Sequence, residues 1–143
     1  LKGLQEDKMT GNQIESMFGK VIYKYSRKQA LEDGVLVDVT ETAKEAGIRY
    51  NTAVTEALWN YIEPTEKLKE MGQSIQGRLW DVLYMFAIAA RSVPKGCSEL
   101  LYSVSFLLEN SESFKTHVVK LKAVIGPGDT AEPVITLMLE DED

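Results

Sequence analysis

The hydrophobic spacing of this chain changes from a long helical stripe to sustained alternation at Pro94-Lys95-Gly96. Before that break, Ile75, Leu79, Val82, Leu83, Phe86 and Ala90 fall on one broad face of a helix expected from about Ser74 to Arg91. Trp80, Tyr84 and Ile88 add a second stripe on its flank, and only a narrow wedge holding Arg78 and Asp81 stays polar. After the break the residues alternate. Leu100, Tyr102, Val104, Phe106 and Leu108 share one face of a strand, with Ser103 and Ser105 opposite. Val119, Leu121, Ala123 and Ile125 do the same in the next, with Lys120 and Lys122 outward. Gly126-Pro127-Gly128-Asp129 is a strong turn signal, and Val134 to Leu139 supplies a last strand behind Pro133. One-faced strands need a cover, and the long helix is the obvious one to lie on them.

The first half of the chain is punctuated more finely. A short helix from Asn12 or Gln13 to Phe18 and a strand from Val21 to Tyr25 are expected first. Ser26-Arg27-Lys28-Gln29 has capping-box spacing and opens a helix running to Asp33, closed by Gly34. Val35 to Val39 is β-branched and reads as a strand. Thr40 or Thr42 caps a helix of about two turns that ends at Gly47. A further helix is expected from near Asn51 or Thr52 through Trp59 to Ile62, where Glu63-Pro64 stops it, followed by a short helical piece at Glu66 to Met71. The resulting expectation is an α+β fold. N-terminal helices and short strands pack with a C-terminal three-stranded antiparallel β-meander, in a single domain over residues 12–139. Residues 1–11 read as a flexible end and residues 140–143 as an acidic tail.

At 143 residues, the chain is long enough to bury roughly two-thirds of its unfolded surface without a metal or disulfide. Leu1 in place of an initiator methionine points to a fragment or processed chain. No apolar run approaches the ~20 residues that span a bilayer, and no signal peptide is evident. A single cysteine makes no internal disulfide, so the cytoplasm is the default location and no membrane is expected. The net charge of −6 shrinks to −2 once the last four acidic residues are set aside, so the body is close to neutral. No basic stripe exists to follow a phosphate backbone, which disfavours nucleic acid as a partner.

Catalytic signals are sparse. His117 has no nucleophile or orienting carboxylate in any local pattern, and zinc needs three or four ligands, so it reads as a structural or surface histidine. Cys97 reads as a buried small hydrophobe. Asp33 and Asp38 flank a short strand, close enough to approach as a carboxylate pair, and solvation at a helix end and a strand edge explains them equally well. No catalytic residue, metal or cofactor is assigned. Thr42 to Asn60 reads as helix, glycine turn, helix, in the manner of a helix-turn-helix, with Arg49, Tyr50, Asn51 and Thr52 as the DNA-contacting set. Its recognition helix, however, carries Glu56 and no Arg or Lys, where a groove reader needs donors and cations. The Trp80, Tyr84 and Ile88 stripe reads first as core completion. If instead it meets a partner, the contact residues are Arg78, Trp80, Asp81 and Tyr84, since Trp, Tyr and Arg are the hot-spot types.

The runs Ala30-Leu31-Glu32-Asp33-Gly34-Val35-Leu36-Val37-Asp38-Val39-Thr40 and Gly77-Arg78-Leu79-Trp80-Asp81-Val82-Leu83 resemble a small domain family of unknown function found in bacteria, plasmids and phages. Ala43-Lys44-Glu45-Ala46-Gly47, Leu121-Lys122-Ala123-Val124 and Glu132-Pro133-Val134-Ile135-Thr136 extend the resemblance over most of residues 18–139. The family has no assigned chemistry. Its association with mobile elements implies a plasmid-maintenance accessory, or an inhibitor of a host defence complex akin to anti-CRISPR proteins. The leading expectation is therefore a non-enzymatic module that binds a protein partner. The DNA-associated regulator is the alternative, and a small enzyme using a carboxylate or Cys97 site is the third.

Overall fold

The computed structural model of the chain describes residues 26–111 and 113–142; the expected elements before Tyr25 and the flexible end lie outside them. Ser26 caps α1 (Arg27–Glu32), its Oγ accepting from the Gln29 N–H at 3.0 Å. The reciprocal half of the capping box is missing, because the Gln29 side chain donates forward to Asp33 Oδ1 at 3.1 Å. Gly34, at φ 79°, turns the chain into β1 (Leu36–Asp38). Neither Thr40 nor Thr42 caps the next helix, α2 (Thr40–Glu45). The Asp38 carboxylate does so, accepting from Thr40 N at 3.3 Å and Thr40 Oγ1 at 2.6 Å.

The helix expected from Asn51 begins four to five residues later. Asn51–Thr55 is a strand, β2, and α3 occupies Glu56–Ile62. Thr52, Val54 and Thr55 are β-branched, and β2 gains backbone partners on both sides, antiparallel to β1 and parallel to the last strand. Thr55 ends the strand and caps α3 through Leu58 N at 3.3 Å. Thr65 caps α4 (Glu66–Glu70) in the same way, and Ser74 caps α5 (Ile75–Arg91) by accepting from Gly77 N at 3.0 Å. The three strands that follow are β3 (Glu99–Asn110), β4 (Ser113–Pro127) and β5 (Pro133–Leu139).

The fold is α+β, and its five strands form one mixed sheet in the order β1-β2-β5-β4-β3. The C-terminal strands are antiparallel neighbours, and the sheet continues past β5 through the parallel β2 rather than stopping there. Register pairs Val54 with Leu137, Ala123 with Leu137, and Tyr102 with Leu121, so one face carries an unbroken apolar band. Leu79, Val82, Leu83 and Phe86 of α5 close over it. Tyr102 donates its hydroxyl to the Val82 carbonyl at 3.1 Å and stands 5.9 Å from the Phe86 ring. Burial pushes the Tyr102 phenol far up, so it stays a neutral donor that fixes α5 to β3.

Two further ties hold the edges. Asp129, in the β4–β5 turn, accepts from the N–H groups of Arg27 at 2.8 Å and Lys28 at 3.0 Å. Together with Ser26 it satisfies the free donors of the first turn of α1. Arg27 in return donates to Thr136 Oγ1 and to the Ile135 carbonyl, both at 2.7 Å. The acidic run is no loose tail as far as Glu142. Its carboxylate accepts from Thr55 Oγ1 and Leu139 N, each at 2.7 Å, and Lys122 Nζ donates to its carbonyl at 2.5 Å. Among the described residues no helix is long and apolar enough to cross a membrane.

Candidate functional site

Only part of α5 faces the sheet. Its opposite flank holds Trp80, Tyr84, Met85 and Ile88 at 37, 45, 40 and 40% exposure. The expectation that Trp80, Tyr84 and Ile88 complete the core is therefore corrected: they stand in solvent. The reason is geometric. The sheet and α3 cover the stripe through Leu79, Val82, Leu83 and Phe86, and the positions one step around the helix overhang that contact. Trp80 and Tyr84, one turn apart, stack with ring centroids 6.0 Å apart and planes at 13°. Asp81 is exposed beside them. Met85 joins this face from the wedge between the two apolar stripes, where no apolar periodicity marks it.

Arg78 does not belong to that face. It is buried, and its guanidinium ties three separate elements together. Nη1 donates to the Tyr61 carbonyl at 2.7 Å, Nη2 to the Leu107 carbonyl, and Nε to Gln73 Oε1 at 3.2 Å. Its carbon Cζ lies 5.7 Å from the centroid of the Phe106 ring. Desolvation draws its pKa down, while the two carbonyls and the Gln73 amide oxygen satisfy its N–H donors. Its position in the polar wedge of α5 reflects this internal cluster, so of the four residues expected to meet a partner, Arg78 is buried and Trp80, Asp81 and Tyr84 are exposed.

The four residues set aside for DNA contact are separated by the strand. Arg49 and Tyr50 are exposed in the loop before β2, Asn51 is exposed at its start, and Thr52 is fully buried inside the sheet. Thr52 N donates to Thr40 Oγ1 at 3.0 Å, so its polar groups face the interior. No helix therefore starts at Thr52 to enter a groove. Cys97 also departs from expectation: it is exposed, its Sγ 3.2 Å from the Glu99 carbonyl, because it sits in the turn after Gly96 rather than in β3. His117 is exposed on β4, opposite Phe106. Asp33 and Asp38 are each engaged by neighbours in their own turns, Gln29 and Thr40. Among the described residues no three His, Cys, Asp or Glu side chains converge as a metal site.

A cleft of about 370 Å³ opens where the loop after α2 meets the C-terminal turns of α5. Ile48, Phe86, Ile125 and Ile135 form its apolar floor, while Arg49, Tyr50 and Arg91 stand at its mouth. The sequence offered little sign of it, because these residues come from four elements.

The features place the chain in the class of α+β domains built on a mixed five-stranded sheet with one long covering helix. Residues 14–143 match the family of unknown function DUF6573, and the chain belongs to that family. No curated protein and no solved structure matches it.

Proposed function

We propose that the protein is a non-enzymatic protein-binding module whose contact face is the exposed flank of α5. The observation that carries this is the stacked Trp80–Tyr84 pair, held in solvent on a helix whose other side is fixed in the core. Burying what remains exposed of the two rings removes on the order of 150–200 Å² from water, worth roughly 4–5 kcal/mol gross. Met85 and Ile88 extend the patch with flexible and branched apolar groups, and Asp81 supplies a charged rim. Buried aromatic anchors ringed by polar groups are what protein interfaces concentrate their energy in. The rings need no rearrangement to bind, because α5 is rigidly held by Arg78 and Tyr102.

The mobile-element association implied by the family resemblance makes a component of a host defence complex the first partner class to try, with the protein acting by occlusion. Affinity capture from host lysate tests this. A stoichiometric protein retained by the wild type supports a binding module; recovery of nucleic acid alone turns the assignment toward a DNA-associated regulator.

A further inference from the structure

The cleft between the α2–β2 loop and the end of α5 combines an apolar floor with a positively charged mouth. Its floor is apolar, formed by Ile48, Phe86, Ile125 and Ile135. Its mouth holds two arginines, and neither Arg49 nor Arg91 makes a hydrogen bond or ion pair among the described residues. The chain as a whole carries a net charge of −6, yet no carboxylate of the described residues lines this cleft. Tyr50 stands at the same rim, and among the described residues no hydrogen bond engages its hydroxyl.

Arg91 lies in the last turn of α5, where the partial negative charge of the helix end accounts for one cation. It does not account for Arg49, which comes from a different element and faces the same opening. Two full positive charges also outweigh the half charge of a helix terminus. The volume is that of a small-molecule site, which typically runs from about 300 to 1,000 Å³ with an apolar lining and a few convergent polar groups. A guanidinium pair selects a planar anion with two acceptor oxygens, which it binds by paired N–H donors.

We infer that this cleft is a binding site for a small monocarboxylic acid with an apolar tail. The tail lies on Ile48, Phe86, Ile125 and Ile135, and the carboxylate is held by Arg49 and Arg91 with the Tyr50 hydroxyl donating to it. None of Trp80, Tyr84, Met85 or Ile88 lines the cleft, so this site stands independently of the contact face on α5.

The test uses the full chain with octanoate and its uncharged isostere octanamide, followed by calorimetry and by backbone amide shifts. Octanoate is expected to bind saturably, shifting amides around Gly47–Tyr50 and Ala87–Arg91, with octanamide at least about tenfold weaker. The double variant Arg49→Gln/Arg91→Gln, both positions exposed, is expected to keep its fold and bind octanoate no better than octanamide. No saturable octanoate binding overturns the inference, as does equal affinity for acid and amide. Undiminished octanoate binding by the double glutamine variant overturns it too.

Discussion

Replacing Arg78 with methionine keeps the aliphatic stem against Phe106 and deletes the guanidinium that joins α5, α3 and β3. Two carbonyl oxygens, those of Tyr61 and Leu107, lose a charged donor. Hydrogen bonds to charged groups contribute about 1.5–3 kcal/mol each, and the contact with the Phe106 ring adds about 0.5–1 kcal/mol. Against this stands the cost of keeping a guanidinium out of water, which the methionine variant no longer bears. The balance is a loss of about 3 kcal/mol, for a chain this size a fall of roughly 10 °C in Tm. Arg78→Lys retains the charge but holds one carbonyl at a time, so about half the loss is expected. Urea unfolding followed by far-UV circular dichroism reads both variants, with the denaturant slope unchanged if the folded and unfolded states keep their exposed areas. A methionine variant as stable as the wild type would refute the internal-clamp assignment and return Arg78 to the surface.

Asp129 carries a pH-dependent tie. The N–H groups of Arg27 and Lys28 hold its carboxyl below the ordinary aspartate value of 3.8, so its stabilisation is complete above that value and is lost as pH falls through the folded value. Asp129→Asn is therefore expected to melt lower than the wild type at neutral pH, with the gap closing as thermal scans are taken to pH values progressively below 3.8; a gap independent of pH contradicts the tie. Cys97, exposed before β3, should react with a thiol reagent in the native protein at a rate close to that of the unfolded chain, whereas protection would place it inside.

What could be read from the residues follows how locally each element is determined. Ser74 and the long apolar stripe define α5 by themselves, and alternation from Leu100 to Leu108 defines most of β3, since neither needs a distant partner to declare its period. Asn51–Thr55 is a strand where the sequence predicts a helix, because Val54, Leu58 and Ile62 recur every four residues as on one helical face. What settles the conflict is pairing with Val134–Leu137, some eighty residues onward, and that is invisible to a local window. The same distance hides Arg78. In its own helix it is a lone cation in a polar wedge, and only the approach of Tyr61 and Leu107 makes that wedge an interior. Trp80 and Tyr84 failed in the opposite direction. Their spacing identifies a stripe, but the width of sheet available to cover it is a tertiary quantity. Part of the exposed flank of α5 was thus legible as the stripe of Trp80 and Tyr84 beside Asp81, and the cleft mouth was not, because Arg49 and Arg91 fall separately in a turn and at a helix end.

The contact face is tested most directly by measuring the affinity of a captured partner for the wild type and for Trp80→Ser/Tyr84→Ser. Both rings are half in solvent, so the double variant should keep its Tm within a few degrees while its affinity falls by about thirtyfold or more, the effect of losing a hot spot of about 2 kcal/mol. Equal affinity in a variant that folds normally would place the interface elsewhere on the molecule.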